Sequence, residues 1–129
     1  MSLNYKNTFS KKERVKSKKE ISRIFKDGIF FYSEHINVKI IESNDTNQAL
    51  HKIGISVPKR LFKLAVHRNK IKRIIREAYR LNKNIIYKNT NFISFNLFFI
   101  YKSKETVNFQ HIEYEVISLL NKIKNHKKF

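Results

Sequence analysis

Cysteine and tryptophan are absent from the 129 residues, proline occurs once and glycine twice. Without cysteine there is no disulfide framework, thiolate metal site or thiol nucleophile. Two glycines exclude both common Gly-rich phosphate loops. Acid is scarce as well, ten Asp and Glu against 28 Lys and Arg, for a formal net charge of +18. The few carboxylates are scattered, so the sequence displays no cluster of the kind a two-metal nuclease needs. His35, His51, His67, His111 and His126 show no HxxxH spacing and read as ordinary polar or partly buried residues rather than ligands. No run approaches about 18 uncharged apolar residues. The longest, "FISFNLFFIY" at 92–101, has strand length and contains Asn96. The first residues lack an apolar signal core, and a cytoplasmic protein is expected.

What is present is positive charge on a chain of single-domain length. Self-repulsion at +18 opposes the compact state, so a polyanionic partner is the simplest reason to keep it. Nucleic acid leads. An anionic membrane surface and plain solubility stay open beside it.

Residues 1–16 read as a basic mobile arm, either a solvated tail or an RNA-tracking segment. Ser17 and Glu20 have capping-box spacing, and Ile21, Ile24 and Phe25 follow at helical intervals up to Gly28. Period-two stretches "INVKII" from Ile36 and "HKIGISV" from His51 predict two strands, joined as an antiparallel hairpin through the turn-rich "ESNDTNQAL". Pro58 stops the second. A long helix over 64–81, a polar connection over 82–91, and a strand within 92–101 come next. That strand carries apolar residues on both faces, as a central strand does. A C-terminal helix carries Ile112, Val116, Leu119, Leu120 and Ile123 on one side. The order α-β-β-α-β-α predicts a single-domain α+β protein, an α/β sandwich over 17–124, with a basic tail at 125–129.

Four of the seven arginines fall within "HRNKIKRIIREAYR" at 67–80, where only two of the 21 lysines do. Unrolled at about 100° per residue, Leu64, Ile71, Ile74, Ile75, Ala78 and Leu81 form a core stripe. Asn69, Lys72, Arg73, Arg76 and Arg80 form an opposing ridge without a carboxylate. Arg68 lies near the apolar edge, placed either to brace the helix or to reach a phosphate. A planar guanidinium can hold two phosphate oxygens and stack on a base, which an ammonium cannot.

The extended stretch "AVHRNKIKRIIREAYR" resembles the signature of the bacterial ribonuclease P protein component, an Arg-Asn-Arg core leading into Ile-Lys-Arg. Here the core reads Arg68, Asn69, Lys70. The preceding "IGISVPKR" resembles the strand and basic pair before that signature, and "KSKKEISRIFKDG" the first helix of the family. The loop "RLFKLAV" lacks the glycine of many members. The resemblance implies a ribosomal protein S5 domain 2-like fold with a left-handed β-α-β crossover, an exception to the usual hand. It implies a subunit of a ribonucleoprotein endoribonuclease whose catalytic RNA removes the 5′ leader of precursor tRNA, with no protein catalytic residue and no further protein partner. Magnesium would be held mainly by the RNA. By the same resemblance Arg68, Asn69, Lys70, Lys72, Arg73, Arg76 and Arg80 contact the RNA subunit, and Ile21, Phe25, Ile36 and Lys39 hold the leader. For Phe25 a core position is the competing reading. A non-catalytic module such as a ribosomal protein shares the charge but not the signature. A membrane-surface protein would use the same basic helix but lacks interfacial tryptophan.

Overall fold

The computed structural model describes residues 11–45, 47–48, 50–87 and 93–126. A 3-10 turn at Lys11–Glu13 precedes α1 (Lys18–Asp27), β1 (Ile29–Tyr32), β2 (Ile36–Glu42), β3 (Lys52–Ser56), α2 (Ala65–Asn82), α3 (Asn84–Tyr87), β4 (Phe95–Tyr101) and α4 (Phe109–Lys124). The result is a mixed α+β single domain, as the sequence predicts.

The sheet runs β1-β2-β4-β3, with β1, β2 and β4 antiparallel and β3 parallel to β4. β4 is central because it is apolar on both sides. Phe95, Leu97, Phe99 and Tyr101 join the main core, while Phe98 is buried on the opposite face. The alternation of each strand then sorts the rest. Ile36, Val38 and Ile40 of β2, Ile53 of β3, and Ile29 and Phe31 of β1 line the core under α2 and α4. The outer face aligns Phe30, Lys39, Phe98 and Gly54 in one row across four strands, and Tyr32, Asn37, Ile100 and Ser56 in the next. α1 crosses part of this face over β2 and β4, anchored by fully buried Ile24. Burying that one side chain contributes about 2 kcal/mol.

Local chemistry sets the helix ends. The Ser17 hydroxyl accepts hydrogen bonds from the Lys19 and Glu20 amides at 3.2 and 3.4 Å, a cap worth about 1 kcal/mol. Glu20 does not reach back to complete the box; its carboxylate pairs with Lys52 at 3.5 Å. At the other end the Gly28 amide donates to the Ile24 carbonyl at 2.8 Å, where a Cβ would lie 2.4 Å from that oxygen. Asn108 caps α4 through the His111 amide at 2.9 Å.

Three expectations need correction. The strands at 36–42 and 52–56 are not a hairpin, because β4 inserts between them and the nine-residue connection is far longer than a hairpin turn. β2 instead pairs with β1, a four-residue strand too short to leave a periodic signal. The connection after α2 is not simply polar: α3 buries Ile86 and Tyr87, and Lys83 is fully buried before it. Residues 88–92 of that connection lie outside the described residues.

Of the expected arm, residues 1–10 lie outside the described residues, and its end is docked. Arg14 bridges to Ile53, the Val15 amide donates to the Ile53 carbonyl at 2.9 Å, and the Glu13 carboxylate accepts from Lys83. This short segment covers the otherwise open edge of β3. In the C-terminal tail, Asn125 closes α4 by donating to the Asn121 carbonyl at 3.0 Å, and 127–129 are outside the described residues.

Candidate nucleic-acid interface

α2 turns Ile71, Ile75, Ala78 and Tyr79 into the core, with Ile74 packed at the margin. Leu64 and Leu81, expected in the stripe, are instead exposed at the two ends of α2. Tyr79 takes the extra buried position at the edge of the stripe, and burial raises its phenol well above the ordinary value.

The outward side carries Asn69, Lys70 and Arg73 in full exposure, with Lys72, Arg76 and Arg80 half-buried around them. Two arginines behave differently from the rest. Arg68 Nη1 donates to the Phe62 and Lys63 carbonyls at 2.8 and 2.9 Å, so it braces the loop that leads into α2. Arg80 is held by Glu77 three residues earlier, with Nε donating to Oε1 at 2.8 Å and Nη2 to Oε2. The ridge is therefore not carboxylate-free, since the turn of the helix brings Glu77 onto its end. That bond raises the Arg80 pKa and lowers that of Glu77.

Arg76 faces the docked N-terminal segment. It lines a groove with Arg14, Val15, Lys72 and the backbone of β3. Burial, and the positive charge of Arg14, lower its pKa, so an anion entering the groove would relieve the repulsion. A second groove continues along the same segment beside Lys11, Lys12, Arg14, Lys16 and Lys52. The first four fall in the expected mobile arm; the bridge of Arg14 to β3 docks this segment and sets Arg14 beside Lys72 and Arg76 of α2.

Past α1, the outer sheet face is open and aromatic. Phe25 at the end of α1 is 40% exposed, with its ring 5.1 Å from that of Phe98. Phe30 stacks on Tyr32 at 5.1 Å and 27°. The Lys39 ammonium sits 4.7 Å from the centre of the Phe30 ring and 5.4 Å from that of Phe25, and also donates to the Phe25 carbonyl. Lys102 lies over Tyr32 at 5.8 Å. In the neighbouring row Asn37 Oδ1 is buried without a hydrogen-bond partner among the described residues. Phe98 can lie flat here only because β3 presents Gly54, where a Cβ would come within 2.5 Å of the ring.

Of the residues expected to hold the leader, Phe25 and Lys39 meet on this face. Ile21 is a half-buried aliphatic side chain on α1 and offers no ring to stack on. Ile36 must be withdrawn: it is 0% exposed and points into the core, since its place in the β2 alternation is with Val38 and Ile40. Asn37, one residue on, occupies the outer face. Phe30, Tyr32 and Phe98 were missed, the first two because β1 was unread.

At the far end of the β1–β2 hairpin the structure gathers Glu34, His35, His111 and Glu115, with donor atoms all within 4.8 Å of one another. The only sequence trace of this is the i,i+4 spacing of His111 and Glu115 on α4. Burial acts to raise the Glu115 carboxyl, but bonds from Ser33, the His35 amide and the His35 ring bring it below its ordinary value. Among the described residues no helix is long and apolar enough to cross a membrane.

The ribonuclease P family model matches residues 9–124. A ribonuclease P protein component of Porphyromonas gingivalis is 38% identical over 77 residues, 60% of this chain and 56% of its own length, so the chain spans little more than half of that relative. One from Borrelia hermsii is 37% identical over 99 residues, covering 77% of this chain and 81% of that protein. Among solved structures, the Staphylococcus aureus RNase P protein superposes with a TM-score of 0.69 at 29% identity, covering 88% of this chain and 95% of that one. The Thermotoga maritima protein does so with 0.70 at 27%, covering 85% and 96%. With its arginine-bearing helix, mixed sheet and matched residues 9–124 all accounted for, the chain belongs to the ribonuclease P protein family.

Proposed function

We propose that this chain is the protein subunit of ribonuclease P in the cytoplasm, binding the catalytic RNA through α2 and the 5′ leader of precursor tRNA on the outer sheet face. The observation that supports it best is the presence of two surfaces of different chemistry, one cationic and one aromatic, on opposite sides of one sheet. Lys72, Arg73, Arg76 and Asn69 suit a folded RNA backbone, read by shape and charge. The face formed by Phe25, Phe30, Tyr32 and Lys39 suits single-stranded nucleotides, whose bases stack on rings at about 1–3 kcal/mol each while ammonium groups track the phosphates.

Among the described residues, the grouped His and carboxylate side chains do not suit magnesium. The one His and acidic cluster with ligand spacing among the described residues contains two imidazoles, whereas magnesium takes oxygen ligands. The protein's part is to hold and orient two RNAs, and the RNA subunit supplies the ion sites and the cleavage.

A cleavage assay tests this. Protein alone should leave precursor tRNA intact, and should improve cleavage by the cognate RNA at low magnesium. Cleavage by RNA-free protein would overturn the division of labour. Co-purification with ribosomal subunits, with no effect on the RNA's activity, would favour a ribosomal module instead.

A further inference from the structure

Glu115 is a buried carboxylate with its two oxygens put to different uses. Oε1 accepts from the Ser33 hydroxyl at 2.5 Å and from the His35 and Ile36 amides at 2.7 and 3.2 Å. Three donors from one turn fix the carboxylate plane, leaving Oε2 aimed at two imidazoles, His35 Nδ1 at 2.6 Å and His111 Nε2 at 3.0 Å. The exposed Glu34 closes the group, with Oε1 3.8 Å from His111 Nε2 and 3.9 Å from His35 Nδ1.

We propose that Glu34, His35, His111 and Glu115 form a site for one tetrahedral divalent transition-metal ion of the zinc class, joining the β1–β2 hairpin to α4. Ligands about 2.0–2.1 Å from a tetrahedral zinc ion are about 3.3 Å from one another. The four separations of 2.6, 3.0, 3.8 and 3.9 Å straddle that value and the other two are within 4.8 Å, so shifts of at most about 1.5 Å in any one separation complete the geometry. Two nitrogens and two carboxylate oxygens suit zinc far better than magnesium or calcium, which prefer oxygens alone. The donors to Glu115 Oε1 supply the outer hydrogen bonds that orient a metal-ligating carboxylate. On binding, the ion takes the place of the protons that His35 Nδ1 and His111 Nε2 direct at Glu115 Oε2; each leaves to solvent or moves to the other nitrogen of its ring, so both ligating nitrogens are bare. Lys122 Nζ donates to the Tyr32 carbonyl at 2.6 Å, a second tie between the same two elements. The ion would thereby stiffen the hairpin that presents Phe30, Tyr32 and Lys39. The site rests on its own four side chains and is independent of the RNA-binding reading.

The test is titration of the metal-free, RNA-free full chain with Co²⁺ and with Zn²⁺, followed by the visible absorption of cobalt and by calorimetry. One ion per chain, an intense tetrahedral cobalt spectrum, and affinity at least about tenfold weaker in His111→Ala and in Glu34→Gln are expected. His67→Ala, which alters a histidine elsewhere on α2, should bind as the parent does. Both ligand positions are solvent-accessible, so these variants stay informative if Glu115→Gln fails to fold. A weak six-coordinate cobalt spectrum, or equal affinity in parent and both variants, would overturn the proposal. So would a joint whose stability responds to pH but not to added metal.

Discussion

Lys83 Nζ lies 2.9 and 3.1 Å from the two carboxylate oxygens of Glu13, and their side chains are 1% and 2% exposed. Seventy residues separate them in sequence. The pair fastens the N-terminal segment to the end of α2 and so holds Arg14 beside Arg76.

Glu13→Gln takes the neutralising charge from a buried ammonium, and the expected loss is about 3 kcal/mol in urea unfolding. The double variant Glu13→Met/Lys83→Met should lose less than either single change, since it buries no charge. A double variant worse than both singles would mean that the loss does not come from an orphaned buried charge.

His51 makes stability depend on pH. Its Nδ1 accepts from the Phe95 amide at 2.9 Å, its ring stacks on Tyr87 at 4.2 Å, and burial lowers its pKa to about 3. The folded state resists protonation that the unfolded chain takes up below about pH 6.5, so stability should fall with pH between about 6.5 and 3. The limiting slope is about 1.4 kcal/mol per pH unit. Unfolding midpoints measured from pH 7 to 5 should drop by about 2 kcal/mol in all, and His51→Gln should flatten that stretch. Glu115 has the lowered pKa of a stabilised carboxylate, so its contribution is lost only below about 4.5, as pH falls through its folded value.

Gly54→Ala puts a methyl group into the Phe98 ring. Overpacking of this kind costs about 1–3 kcal/mol. If the ring moves, its contact with Phe25 goes with it, so binding of a single-stranded leader should weaken more than binding of the RNA subunit. Adding Phe98→Leu should restore stability but not leader affinity.

Arg73 and Arg68 are separable by salt. If exposed Arg73 contacts a phosphate, Arg73→Ala should reduce the slope of log affinity against log salt for the RNA subunit by somewhat under one. Arg68→Ala strips two loop carbonyls of a donor. It should lower thermal stability, and because both bonds come from one nitrogen, Arg68→Lys should rescue it in part. An unchanged slope in Arg73→Ala would take that residue out of the interface.

The legible features were those with a short period. Ile71, Ile75 and Ala78 announce the buried side of α2, and the two-sided β4 announces a central strand. Tyr79 escaped because an aromatic at the edge of a stripe fits either side. The neighbours of each strand were illegible, since nothing in "INVKII" says whether it pairs with β3 or β4. Ile36 failed as a site residue for a related reason: family correspondence gives a position, but only register gives a face. The ion pair of Glu13 with Lys83, and the meeting of Glu34 and His35 with α4, depend on separations that leave no local pattern.

The strand order also governs when the molecule can exist. β4 lies between β2 and β3 and pairs with both, yet it follows them by about 40 residues or more. The β1–β2 hairpin can form early, but Ile36 must wait for Tyr101, its register partner, to emerge from the ribosome. Until then the later-buried faces of β2 and β3 have no cover, and the final closure spans most of the chain. Such long-range pairing slows folding. The core also needs Ile112, Val116, Leu119, Leu120 and Ile123 of α4, so it cannot close until that helix too has been made, which makes the fate of the unfinished, strongly basic chain a matter of timing.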